Sequence, residues 1–384
     1  MSFWGYPRPD GSAGTRNYVG VIPTVVCATA TCRQISDNVK GSVPFLHHQG
    51  CALTPYDLEL VNRTLSNLGR NPNLAAVLLV SLGCDPVDID GIAENIAASK
   101  KPVEKLVIQQ VGGTIATVAE GTRIVKQMVS DASRIRREQM DESRLMFGSE
   151  CGGSDTTSGL GSNPAIGAAF DLLIDAGGSC VFSETTEFIG AEHLLAQRAV
   201  SAEVGRKIVD TVKRYEKRFL DAGVDMRGTN PTKGNIEGGL TTIEEKSLGA
   251  IAKGGTAPIE QVYEYGERPE GQGLFIVDGP GFDAPSLTCL AAAGANVIFF
   301  STGRGTPLGC PFVPVVKVTA NGATYGRMKD NIDFYVDLEA KGRMGEVGRE
   351  LFAEGLEVAS GKRTKAEILD QSSYNGIFLV GPLA

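Results

Sequence analysis

Histidine is the scarcest informative residue of this 384-residue chain, with only His47, His48 and His193 present. His47 and His48 stand four and three residues before Cys51, and His193 follows closely on Glu184 and Glu187. Imidazole, thiolate and carboxylate at short spacing suit a borderline divalent ion such as Fe2+, Mn2+ or Zn2+. A lone histidine is more often structural than a ligand, and spacing alone fixes neither the ion nor the histidine that binds it. Arg16, Lys246 and Arg304 are the cations that can clamp a carboxylate or another anion. A base, an anion clamp and a cation together are the parts of a β-elimination. The proton α to a carboxylate is weakly acidic, so the anion formed by removing it needs strong electrostatic stabilisation.

The elements that must position these groups alternate between strand and helix. Residues 18–27, 75–81 and 106–110 read as apolar, β-branched strands, with helical stretches from about 31, at 92–99 and at 114–139. Residues 145–149, 180–183, 273–277 and 296–301 read as a second set of strands, with helices at 164–176, 191–222 and 286–293. Continuous apolar strands separated by helices predict an α/β fold of two Rossmann-like domains, their mostly parallel sheets flanked by helices. The charged stretch 133–144 reads as a solvated helix end and a boundary, dividing a first domain (1–140) from a second (141–384) that carries most of the site motifs.

Ligands of open parallel sheets gather beyond the carboxyl ends of the strands. Five polar clusters fall there: Cys84-Asp85, Glu150 to Asp155, Glu184 to Glu187, Asp278 to Gly281 and Thr302 to Gly305. Five in register predict one polar site. Glycine, at 48 residues, clusters as pairs such as Gly112-Gly113 and Gly152-Gly153, where tight turns or a close backbone approach to a ligand are expected.

Composition excludes several classes. The net charge is −8 with no basic stripe, so nucleic acid is not an expected partner. No apolar run reaches the length of a membrane span, and the first residues lack a signal peptide's pattern, so a cytoplasmic location is expected. Eight cysteines without a CxxC then read as free thiols with a few metal ligands. Neither GxGxxG after a first strand, GxxxxGK[ST] nor GxSxG is present, so a nucleotide-dependent oxidoreductase and an α/β-hydrolase are poorly supported. A non-catalytic regulatory subunit would be expected to lose the His, Cys and Glu groups that are all present here.

The motifs, in order, resemble the altronate/galactarate dehydratase family over nearly the whole chain. Gly5-Tyr6-Pro7-Arg8-Pro9-Asp10-Gly11 through Arg16-Asn17 resembles that family's opening, with Ser12 where arginine is usual. His47 to Cys51 resembles its HxxGC element, and Ser81 to Asp85 its LGCE element with Asp85 in place of glutamate. CGGSD at 151–155, ETTEFIGAEH at 184–193, Glu245-Lys246-Ser247, DGPGFD at 278–283 and STGRG at 301–305 complete the match.

The resemblance implies a lyase that removes water from a sugar acid to give a 2-keto-3-deoxy acid. Its implied cofactor is a divalent metal, most often Fe2+, with Mn2+, Mg2+ or Zn2+ as alternatives. It also implies a small SAF-domain partner on a separate chain, a homo-oligomer, and a relative that expels sulfite from (2R)-sulfolactate. On these grounds His47, Cys51, Cys151 and His193 are the expected metal ligands. His47, Glu184, Glu187, His193 and Lys246 are the expected catalytic groups. Arg16, Asn17, Ser154, Asp155, Lys246, Thr302 and Arg304 are the expected substrate-binding groups.

Overall fold

The computed structural model describes residues 2–340, 343–372 and 375–383. Its strands are β1 (Ser2–Pro7), β2 (Ala13–Gly14), β3 (Tyr18–Pro23), β4 (Ser42–Pro44), β5 (Leu74–Ser81), β6 (Val103–Val107), β7 (Glu138–Asp141), β8 (Met146–Cys151), β9 (Ser179–Phe182), β10 (Ile259–Tyr263), β11 (Gly273–Val277), β12 (Val297–Ser301), β13 (Val315–Thr319) and β14 (Phe334–Tyr335). A four-stranded sheet has the order β4-β3-β5-β6, and a seven-stranded sheet the order β10-β11-β9-β8-β12-β13-β14. Every pairing in both is parallel. The α/β architecture read from the sequence is therefore the one observed.

Parallel strands must be covered on both faces, which explains their unbroken apolar runs. All eight residues of β5 are buried, as are all five of β11, β12 and β13. The covering helices are cut by local signals. Thr54 accepts from the Asp57 amide to cap the helix Pro55–Arg70, and proline sits in its first turn. One apolar cluster joins the two sheets, with Ile22, Val77 and Leu79 from the smaller packing alongside Phe275, Ile298 and Phe300 from the larger.

Several elements differ from the sequence reading: the strand read at 106–110 is Val103–Val107, and Ile108–Val111 turn into a short helix. The helix Thr114–Ala132 stops short, and within 133–144 residues Glu138–Asp141 form a strand rather than a helix end. β1 pairs antiparallel with both β2 and β7 in a third, small sheet. Arg137 favours this arrangement, because its guanidinium lies 4.5 Å from the centre of the Tyr6 ring and also donates to the Trp4 carbonyl. The single helix expected over 191–222 is two, Glu192–Gln197 and Ala202–Asp221, because the Ser201 hydroxyl accepts from the Val204 amide and starts the second anew.

Strand order reverses between β8 and β12 in the larger sheet and between β3 and β5 in the smaller. Such switch points open a crevice at the carboxyl ends of the strands.

Candidate active site

The crevice of the larger sheet collects charge. β8 ends in Glu150-Cys151, and the chain after β9 delivers Glu184 in a left-handed conformation (φ 75°), unusual for a side-chain-bearing residue and typical of functional positions. Lys253 comes from the short turn Ala252–Gly254 after the helix Ile243–Ile251, which also carries Lys246. Asp283 opens the helix Asp283–Ala293, which also presents Ser286.

Lys253 has no solvent exposure, and neither has Glu184. The ammonium forms a short ion pair with the Glu184 carboxylate and donates to Cys151 Sγ at 3.0 Å. The second Glu184 oxygen accepts from the Cys151 thiol at 3.6 Å, while Oε2 also accepts from the Cys151 amide at 2.9 Å. Beside this triad, Ser286 donates to Glu150 Oε2, leaving Glu150 Oε1 buried without a protein partner. Lys246 donates to Glu187 Oε1 at 3.0 Å and to Asn230 Oδ1 at 2.9 Å, and Glu187 Oε2 is likewise buried and unpartnered. Gly152 lets these groups close together: a Cβ there would stand 2.7 Å from an Asp283 carboxylate oxygen.

Removing charges from water is costly unless each finds a partner. Burial, and then the Glu184 and Asp283 carboxylates, push Glu150 well above the usual carboxylate range, so it is held protonated. Burial also raises Glu184, against the pull of Lys253. Burial alone would lower Lys253, but the Cys151 and Glu184 groups around it raise it above the ordinary lysine value. Lys253 is thus a fixed cation and not a base. Burial raises the Cys151 thiol, keeping it neutral. On β13, buried Lys317 lies 3.8 Å from the centre of the Phe300 ring, and burial lowers it to about 7 with Asp283 opposing.

Next to this cluster is a cavity of about 310 Å³ lined by Ser154, Asp155, Ser158, Asn163, Lys246 and Leu248, among others. Lys246 is thus shared between cavity and cluster. Of the residues singled out from sequence, Cys151, Glu184, Glu187 and Lys246 come together here, with Ser154 and Asp155 on the cavity wall. Asp155 is held by Thr157, Ser158 and Asn321, so its carboxylate shapes the loop. Thr302 is buried and accepts from the Gly305 amide, while Arg304, with its guanidinium paired to Glu237 at 3.3 Å, borders Gly153 at the rim.

The other expected site residues lie elsewhere. Arg16 binds Glu367 through two nitrogens at 2.6 and 2.7 Å, and Asn17 accepts from Arg8. His193 is exposed on the helix Glu192–Gln197. His47 is buried, with Nε2 2.7 Å from the Pro23 carbonyl and Nδ1 accepting from the Gln49 amide, an arrangement that assigns the proton to Nε2. Burial lowers His47 to about 4.

His47, Cys51, Cys151 and His193 therefore do not fit a shared metal centre. Both His47 nitrogens are occupied, Cys151 is enclosed by Lys253 and Glu184, and His193 faces outward. Among the described residues no three His, Cys, Asp or Glu side chains group so as to hold a metal ion. Sequence reasoning missed Lys253 and Lys317, and quoted Asp283 in the DGPGFD motif without giving it a role. Lys317 carried a signal, a lone charge inside the apolar run of β13, which must find partners when buried.

Comparison with known proteins places these features in context. Residues 5–133 match the second domain of D-galactarate dehydratase/altronate hydrolase, and residues 142–379 match the D-galactarate/altronate dehydratase C-terminal domain. The (2R)-sulfolactate sulfo-lyase subunit beta of Chromohalobacter salexigens is 38% identical over 97% of this chain and 96% of its own length. Altronate dehydratase of Bacillus subtilis is 37% identical over 95% of this chain and 75% of its own. Galactarate dehydratase (L-threo-forming) of Escherichia coli is 34% identical over 94% and 73%. Two domain matches in order and relatives aligned almost end to end make this chain a member of the D-galactarate/altronate dehydratase family.

Proposed function

We propose that this lyase eliminates water from a sugar acid of the altronate or galactarate type, giving a 2-keto-3-deoxy acid. The observation that carries the reading is the Glu187–Lys246 pair, whose lysine lines the cavity, with Glu187 Oε2 buried and without a protein partner. In this reading Lys246 holds the substrate carboxylate, and Glu187 Oε2 removes the proton α to it. The electron pair left on the α-carbon forms the C=C bond as the β-hydroxyl departs with a proton to become water. The resulting enol takes a proton at the β-carbon and releases its hydroxyl proton to solvent, becoming the 2-oxo acid. Lys253, fixed in its charged form, supports the negative charge that develops on the substrate.

The sulfolactate reading shares the first step, with sulfite as the β-leaving group and pyruvate as product. It is favoured by the sulfo-lyase relative, which this chain covers over 96% of its length. Leu160 and Leu248, both more than half exposed, line the cavity. This apolar rim supports a separate small subunit docking over the site. The eight cysteines are all unpaired, which supports a reducing compartment such as the cytoplasm. Among the described residues no helix is long and apolar enough to cross a membrane.

The test is product analysis under anaerobic conditions with ferrous iron, using altronate, galactarate and (2R)-sulfolactate. A 2-oxo acid without sulfite is expected. Sulfite with pyruvate would transfer the protein to the second reading, and no product from any substrate, with or without the small subunit, would overturn both. Glu187→Gln is expected to lower kcat by about 10²–10⁴-fold while leaving the fold unchanged, as loss of a general base does; an unchanged kcat would remove Glu187 from that role.

A further inference from the structure

Glu184 and Glu187 stand on one strained turn. Glu184 has a φ of 75°, and a left-handed residue with a Cβ persists only where its surroundings over-determine it. The Glu187 amide donates to the Glu184 carbonyl at 2.8 Å, so the base follows wherever that turn goes. Lys253 and Cys151 hold the Glu184 carboxylate. The backbone behind it is held from another direction.

Strands β10, β11 and β9 are neighbours in the larger sheet, and their carboxyl ends lead into Glu264, Asp278 and the Glu184 turn. A line of bonds crosses these three ends. Arg214, on the helix Ala202–Asp221, donates to both Glu264 oxygens at 2.9 Å and to Asp278 Oδ2 at 2.7 Å. The other Asp278 oxygen accepts from the Thr185 hydroxyl at 2.6 Å. Thr185 Oγ1 accepts in turn from the Gly279 amide at 3.3 Å, and the Thr185 amide donates to the Gly279 carbonyl at 2.8 Å. Thr185 and Asp278 are buried, whereas the Arg214 side chain is 39% exposed, so the line runs from the surface to the residue next to Glu184. The loop anchored in this way also presses on the base. A Cβ on Gly281 would lie 2.5 Å from Thr186 Oγ1 and 3.0 Å from Glu187 Oε1.

We propose that Arg214, Asp278 and Thr185 are positioning residues for the elimination, a clamp that locks the Glu184 turn and aims Glu187 at the substrate. The three are absent from the cavity lining, so they act through Glu187 and not on the substrate itself. Bonds with an ionised partner are shorter and stronger than neutral ones, which suits them to hold a strained turn. Burying the Asp278 carboxylate costs stability that apolar packing in its place would not. What the arrangement supplies instead is direction. The inference rests on the reading of Glu187 as the base.

Thr185→Val keeps the shape of the side chain and removes its hydroxyl, whereas Thr185→Ser keeps the hydroxyl. Amide hydrogen exchange of the full chain is followed by mass spectrometry, and initial rates are measured on the acid that the wild type turns over. In Thr185→Val the Thr185, Glu187 and Gly279 amides are expected to exchange about tenfold faster or more. Its kcat should fall about tenfold or more while KM stays within about threefold, the pattern of a misplaced catalytic group. Thr185→Ser should restore both readouts to near the wild-type values. Arg214→Gln, a change near the surface, should move both in the same direction by less, and it carries the test if Thr185→Val does not fold. Faster exchange with unchanged kcat would make the clamp merely structural and overturn the proposal. Unchanged exchange in both variants, or a kcat loss that Thr185→Ser does not recover, would overturn it too. A wild type inert on every acid would instead remove the reading of Glu187, and the exchange rates would then decide the clamp alone.

Discussion

At the carboxyl edge of the larger sheet, Glu150, Glu184 and Lys253 are wholly removed from solvent. At the same edge of the smaller sheet, three thiols are exposed, while Asp85 and His47 beside them are held by nearby backbone and hydroxyl groups. Asp85 is spent on amides and hydroxyls, and His47 on a carbonyl and an amide. The two edges share one topology, yet one stores electrostatic work in a closed cluster and the other uses its polar groups to set loop shape. Topology fixes where a site is; burial decides which of its groups keep a charge available.

The largest effect should come from breaking the closed edge. Lys253→Met leaves Glu184 without its counter-charge in a site no water reaches, and should cost about 3–5 kcal/mol of stability, read from denaturant midpoints. Adding Glu184→Gln should restore most of that loss, because replacing both members of a buried pair is far milder than removing one. A double variant as unstable as the single would show that the pair is not coupled.

The smaller sheet should answer to acid instead. His47 has a folded pKa of about 4 against an ordinary 6.5. Between those values the unfolded chain takes up a proton that the folded chain refuses, so stability falls as pH drops from 6.5 to 4. The wild type should lose about 3 kcal/mol more over that window than His47→Gln does. Parallel pH profiles of the two proteins would contradict the buried, neutral assignment.

The smallest effect belongs to the rim. The Arg304–Glu237 pair leaves its two side chains 45% and 50% exposed. Arg304→Ala should therefore change stability by no more than about 0.5 kcal/mol; any defect should appear in KM. A large loss of stability would mean that the rim is as closed as the cluster beneath it.

These contrasts mark what the sequence could and could not disclose. The parallel sheets were legible because burial on both faces leaves unbroken apolar runs, as in β5 and β12. Cys151, Glu184 and Glu187 were legible as polar residues following such runs. Lys253 was not: it lies 69 residues from Glu184 in sequence, among alanine and glycine, and nothing local announces its partner. β1 and β7 were missed because both are partly exposed and neither is an unbroken apolar run, and their pairing joins positions more than 130 residues apart. His193 misled because closeness to Glu187 in sequence does not put two side chains on the same surface. Asp85 was read as a substituted glutamate, and its four bonds show a short carboxylate fitted to a tight turn.

Arg16, read from sequence as an anion clamp, has a consequence for synthesis. Its guanidinium binds Glu367, 351 positions later, and the carbonyls of Val358 and Lys362. A ribosome-bound chain can assemble the smaller sheet early, since β3 to β6 end at Val107. The charge at Arg16 must then wait, solvated, until almost the entire polypeptide has emerged. Closure of the first segment is thus a late, post-translational event, and a nascent chain halted before residue 367 would carry its amino-terminal strap unfastened and open to proteolysis.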